Sequence, residues 1–201
     1  MQTHFLFDVL EGHQPFEQIA EESRRDGAII AASGLAGAQK AHLACALAAR
    51  TGRPLVFLCD SERSAAQTME DVSALMGGGV SLFPAREITF YQDVAASRDV
   101  AYRRIEAMRK LVSGEVRAIV APVDAMLHRV MPRAVFSANT ISLRVGDVLP
   151  TDQLIERLLT AGYTREYMVE GKGQFSVRGG IIDVYPADAL SAVRIEFFDD
   201  E

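Results

Sequence analysis

The chain has 201 residues, with 21 Lys and Arg against 27 Asp and Glu, a net charge of −6. An apolar share of 49% excludes a disordered tail or a collagen-like fibre. No apolar run approaches the roughly 18–20 residues that span a bilayer, and the start MQTHFLFDVLEGHQPFEQ lacks the basic n-region of a secretion signal. Cys45 and Cys59 are too few and too far apart for a disulfide framework or a CxxC metal site, which points to buried free thiols in a reducing cytoplasm. A cytoplasmic protein without a membrane partner is therefore expected.

The first 24 residues are polar and compatible with a helix. Residues 28–33, AIIAAS, form a short apolar run that predicts a buried strand. Ala38 to Arg50 is rich in Ala and Leu and predicts a helix, ended by Thr51-Gly52. PLVFLC (54–59) predicts the next strand. In the helix expected over 61–76, Ala65, Met69, Val72 and Met76 share one face and Ser61 is the N-cap candidate. Gly77-Gly78-Gly79 stops it, and VSLF (80–83) predicts a third strand. Residues 98–112 predict an amphipathic helix with Ala101, Ile105, Met108 and Val112 inward and Arg103, Arg104, Arg109 and Lys110 outward. RAIVA (117–121) gives a fourth strand. Short apolar strands alternating with helices point to an α/β parallel sheet covered on both faces.

The texture changes near Pro132. ISLRVGD (141–147) precedes a helix expected from about Thr151 to Ala161. Three strands follow, at 174–178, 180–186 and 192–199. Val193, Ile195 and Phe197 alternate, the mark of a half-buried antiparallel strand. A boundary thus falls between about 125 and 140, giving a parallel-sheet domain over 1–127 and a smaller α+β domain with an antiparallel sheet over 128–201. The sequence stops at Asp199-Asp200-Glu201, directly behind a strand, as expected for a fragment of a longer protein whose second domain is truncated. The first part carries 13 basic and 16 acidic groups and the second 8 and 11, so each nets −3. No basic domain announces a nucleic-acid surface, and no direct DNA binding is expected. His4, His13, His42 and His128 show no ligand spacing, and no metal is expected.

The sharpest local signal is Ser33-Gly34-Leu35-Ala36-Gly37-Ala38-Gln39-Lys40-Ala41, between a predicted strand and a predicted helix. That is the setting of a phosphate loop, GxxxxGK[ST], in which backbone N–H groups at a helix N-terminus cradle phosphate. Gly34 and Lys40 are in register with the first Gly and the Lys. Gln39 stands where a second Gly lets the backbone approach phosphate, and Ala41 where a hydroxyl ligates Mg²⁺. An acidic strand end to complete such a site is also missing: RAIVAP leads to Val123-Asp124, and FFDDE follows an alternating strand. Three readings stand at this point: an active phosphate loop, an ordinary strand–turn–helix with glycines in its turn, and a phosphate loop that has lost its chemistry and kept its fold.

A longer string decides among them. Tyr163-Thr164-Arg165, then Val169-Glu170-Gly171-Lys172-Gly173-Gln174-Phe175-Ser176-Val177-Arg178-Gly179-Gly180-Ile181-Ile182-Asp183-Val184-Tyr185-Pro186, then Val193-Arg194-Ile195-Glu196-Phe197-Phe198-Asp199-Asp200-Glu201, resembles the small inserted domain shared by UvrB and the transcription-repair coupling factors of bacterial nucleotide excision repair. The loop at 34–41 and Glu87-Ile88-Thr89-Phe90-Tyr91-Gln92-Asp93 agree with the same module, so the resemblance covers about residues 25–201. It implies a phosphate-loop-NTPase-like first domain similar to UvrB domain 1a and a second similar to UvrB domain 2. UvrB has an intact loop and a long DNA-clamping hairpin. Here Gln39 and Ala41 break the loop, and Gln92 to Ser97 is too short for the hairpin, which favours the coupling-factor branch. That branch implies a non-catalytic N-terminal module, without cofactor, that recruits UvrA through domain 2. RNA polymerase and double-stranded DNA would be partners of other regions of the full protein, and ATP and magnesium would serve a translocase motor beyond residue 201. The alternative is a UvrB-like ATP-dependent excision-repair enzyme. By resemblance, Arg165, Arg178 and Glu196 fall at UvrA-binding positions, Phe175 adds apolar area beside Arg178, and a further family arginine is Ser176 here. Gly34, Gly37, Gln39, Lys40 and Ala41 form the degenerate nucleotide loop.

Overall fold

A computed structural model describes residues 5–86 and 98–198. The segments 87–93 and 92–97 and the residues Asp199, Asp200 and Glu201, on which parts of the sequence reading rest, lie outside the described residues. The chain divides into two compact units, Met1–Arg129 and Val130–Glu201.

The first unit runs α1 (Phe5–Asp8), α2 (Gln14–Glu22), α3 (Ala38–Thr51), β1 (Leu55–Cys59), α4 (Glu62–Met76), β2 (Val80–Leu82), α5 (Asp99–Val112), β3 (Ala118–Pro122) and α6 (Val123–Met126). Its sheet has the order β1-β3-β2 and both pairings are parallel. β3 lies in the middle and all five of its residues are buried, which is why AIVAP is continuously apolar rather than alternating. One face packs Leu55, Phe57, Val80, Leu82, Ala118 and Val120 against α3 and α4 through Ala41, Cys45, Ala65 and Val72. The other packs Ile119 and Ala121 against Phe83 and Ala107. Helix ends follow the local chemistry. Ser61 Oγ accepts from the Ser64 N–H (3.2 Å) and Ser64 Oγ from the Ser61 N–H (3.3 Å), a reciprocal cap for α4.

Three expectations fail in this unit. The sheet is not covered on both faces along its length: Val56 and Leu58 of β1 are 57% and 50% exposed. Residues 28–33 form no strand: they have no ladder partner among the described residues, and Ile29 is 99% exposed. An apolar run becomes a strand only where a neighbouring strand takes its hydrogen bonds, and among the described residues this sheet comprises β1, β3 and β2. On α5 the buried face is rotated from the expected one. Arg104 is 5% exposed and Ala107 is buried, whereas Ile105 is 40% exposed. The Arg104 guanidinium lies 3.9 Å from the Phe83 ring centroid and donates to the Pro84 carbonyl (2.6 Å). An aromatic face and a carbonyl thus accommodate a cation that helical periodicity alone assigns to water.

The second unit runs α7 (Arg133–Ala138), α8 (Thr151–Thr160), β4 (Thr164–Arg165), β5 (Gln174–Arg178), β6 (Ile181–Val184) and β7 (Val193–Glu196). The sheet order is β4-β5-β6-β7. β5–β6 and β6–β7 are antiparallel, but β4 pairs with β5 in parallel, so the sheet is mixed and not purely antiparallel as expected. Two residues are too few to show alternation, which hides β4 from the sequence. Leu154 and Leu158 of α8 pack against Phe175, Ile182 and Val184, closing one face of the sheet.

Gly179-Gly180 turns β5 into β6. Gly179 has φ +59°, a conformation that L side chains rarely adopt. A Cβ on Gly180 would stand 3.0 Å from the Phe197 carbonyl oxygen, so a bare backbone is needed where β6 and the end of β7 close together.

Candidate functional site

Strand alternation in the second unit sorts the candidate residues. Phe175 and Val177 face α8; Ser176 and Arg178 face the opposite side. Register then builds that opposite face. Ser176, Asp183 and Arg194 form one row across β5, β6 and β7; Arg178, Ile181 and Glu196 form the next. The residue types make this the polar face of the sheet, with two guanidiniums and two carboxylates within two rows.

Asp183 is the hub. It is 9% exposed and accepts from Arg194 Nε at Oδ1 (2.7 Å), from Arg194 Nη2 at Oδ2 (3.0 Å) and from Arg178 Nη2 at Oδ2 (2.7 Å). The Arg178 and Arg194 side chains remain 54% and 55% exposed. Hydrogen bonds from Arg194 first, and from Arg178 against the opposing cost of burial, hold the Asp183 carboxyl below the usual carboxylate range. Asp183 in turn raises the Arg194 guanidinium further, with a small addition from Glu196. Of its ten N–H donors, the arginine pair spends three on Asp183, and the remainder sit on half-exposed groups. Such a pair can fork onto a carboxylate from outside.

The candidate residues therefore fall out unevenly. Arg178 and Glu196 share this face. Arg165 is exposed on β4 at the register of Phe175, so it shares the Phe175 side of the sheet and the edge, not the face of Arg178. Phe175 is 0% exposed and belongs to the core with Leu154 and Ile182, so it offers no apolar area to a partner. Alternation forces this, since a strand with Arg178 outward must send Phe175 inward. Ser176 is buried, and its Oγ has no hydrogen-bond partner among the described residues. The sequence reading missed Asp183 and Arg194. The available signal was β6–β7 pairing, which sets their charges opposite each other.

The loop before α3 belongs to the first unit. Gly34 and Gly37 have φ +83° and +49°. Gln39 reaches back so that its Oε1 accepts from the Ala36 N–H (3.0 Å). The loop thus satisfies one of its own amides with a side-chain carbonyl, at the place where a phosphate loop keeps its amides for the ligand. Ala41 is buried in the core with Cys45, Ala65 and Val72, and contributes a methyl group where Mg²⁺ chemistry needs a hydroxyl. Ser64 and Ser61 hydroxyls, with a small contribution from Lys40, hold the exposed Asp60 carboxyl below its ordinary range. Burial pushes the Cys45 thiol up to about 11, which leaves it unreactive. Among the described residues no group of three or more His, Cys, Asp or Glu is arranged to hold a metal ion, and no helix is long and apolar enough to cross a membrane.

Residues 141–201 match the model of the UvrB interaction domain family. The chain is 34% identical over 170 residues to the transcription-repair-coupling factor of Bacillus subtilis, a match covering 84% of the chain and 14% of that relative. It is 34% identical over 197 residues to the transcription-repair-coupling factor of Myxococcus xanthus, covering 94% of the chain and 16% of the relative. It is 30% identical over 183 residues to the UvrABC system protein B of Dechloromonas aromatica, covering 84% and 26%. The chain therefore spans about one seventh of the coupling factors that it matches. Its residues 141–201 contain the mixed sheet and its paired arginines. Residues 141–201 thus carry a UvrB interaction domain on that sheet, and most of the chain is similar to transcription-repair-coupling factors and to UvrABC system protein B.

Proposed function

We propose that the chain is the non-catalytic N-terminal module of a transcription-repair coupling factor and recruits UvrA through the polar face of its second unit. One observation carries this reading: the half-exposed Arg178 and Arg194, locked around Asp183 beside Glu196, lie within the matched UvrB interaction domain. Interface hot spots favour arginine, and a planar guanidinium can grip a partner carboxylate with two hydrogen bonds. Arg165 contributes from the sheet edge. Residues 1–127 correspond to UvrB domain 1a and 128–201 to domain 2.

The first unit is, in this reading, a phosphate-loop fold stripped of its chemistry. The parallel β1-β3-β2 sheet, the glycine turn before α3, the amide held by Gln39 and the missing hydroxyl at Ala41 all support it. No nucleotide or metal is used by these 201 residues. ATP-dependent translocation, RNA polymerase contact and duplex DNA binding belong to the rest of a cytoplasmic full-length protein. Calorimetric titration tests both halves. UvrA should give saturable binding and Mg-ATP none; micromolar Mg-ATP binding would overturn the account of the loop, and silence with UvrA the account of the sheet.

A further inference from the structure

Building on the UvrA-docking reading, we infer that Asp183 is a positioning residue: it holds Arg178 and Arg194 together as a preformed pair that receives one anionic group, a carboxylate, of the partner.

The geometry carries the inference. Three strands deliver three side chains to one point. Asp183 sits at the centre, on β6, and bonds both flanking arginines through both of its oxygens at 2.7–3.0 Å. Its own exposure is 9%, whereas each arginine side chain is more than half exposed. Solvent, and so a partner, reaches the guanidiniums but hardly reaches the carboxylate. The triad nets one positive charge, because one carboxylate offsets one of two cations. Seven of the ten guanidinium N–H donors are left after the three bonds to Asp183. An arginine in water samples many rotamers and loses them on docking; two arginines already tied to a fixed carboxylate lose far fewer. Ser176, buried beside Asp183 in the same row, adds no competing hydrogen bond among the described residues.

Two simpler roles predict different results. If Asp183 merely competed with the partner's carboxylate for the arginines, its removal would tighten binding, since the face gains a positive charge. If it served stability alone, its removal would lower the melting temperature and leave affinity unchanged. Positioning predicts weaker binding despite the added positive charge.

The experiment is UvrA titration of five forms of this chain: wild type, Asp183→Asn, Arg194→Lys, Arg178→Ala and the Asp183→Asn/Arg178→Ala double variant, each with its melting curve. Asp183→Asn should bind about tenfold more weakly at constant salt. Arg194→Lys keeps the charge but not the two-point bond, and should weaken binding several-fold. Arg178→Ala should cost less in the Asp183→Asn background than in wild type, because its partner is already free. Equal or tighter binding by folded Asp183→Asn overturns the proposal. Should Asp183→Asn fail to fold, Arg194→Lys decides alone: unchanged affinity overturns positioning, and weakened binding supports it. If Arg178→Ala itself binds like wild type, the docking face is wrong and positioning falls with it. If Arg178→Ala loses binding while Asp183→Asn and Arg194→Lys keep it, only the positioning role fails.

Discussion

At the scale of the residue, one strand separates surface from core. Arg178 and Phe175 lie three positions apart on β5, and alternation puts them on opposite faces. Phe175→Ala should therefore act on stability, costing about 3–5 kcal/mol, and a denaturant titration of the second unit's signal would show it. A wild-type denaturation midpoint would contradict its core assignment. Asp183 gives a pH prediction. Its folded carboxyl titrates below the usual carboxylate range, so its ion pairs stabilise the fold fully above the ordinary value of about 4. That stabilisation drains away as pH falls through the lowered folded value. Melting curves of wild type and Asp183→Asn should thus run parallel near pH 7 and converge in acid. The motif string singles out Arg178 and Glu196, which the register places on one face; it does not single out the Asp183–Arg194 pairing, because a cross-strand charge cluster depends on register, which no local spacing reveals.

At the scale of the element, caps and turns followed from local chemistry. Ser61 stands before α4 with a reciprocal serine cap, so Ser61→Ala should cost about 1 kcal/mol, read as a lowered melting temperature. Gly180→Ala should cost about 1–3 kcal/mol because a Cβ presses on the Phe197 carbonyl; a neutral result would mean that the hairpin shifts freely. Helices α3, α4 and α8 were legible because their glycine stops, apolar faces and flanking turns agree. The run at 28–33 was not. Its composition is that of a strand, but a strand is a pairing, and nothing in AIIAAS specifies its neighbour. Arg104 was misassigned for a related reason: helical periodicity counts charge as outward, whereas Phe83 and the Pro84 carbonyl, distant in sequence, make an inward place for it.

At the scale of the whole molecule, the two units differ in sheet pairing and in where their charge lies. The first has the layers of a parallel α/β domain and a loop whose amide Gln39 already occupies. The second concentrates its charge on one face of a small mixed sheet. The change from continuous apolar strands to alternating ones near Pro132 announced this contrast. The mixed pairing of the second sheet stayed hidden in the two residues of β4. The most direct test of docking by an arginine-bearing sheet is the affinity of UvrA for this chain with and without the Arg178 guanidinium. Arg178→Ala should lose about 2 kcal/mol of binding, about thirtyfold, while the variant stays folded with a melting temperature lowered only modestly by the lost Asp183 pairing. Wild-type affinity in that variant would contradict it.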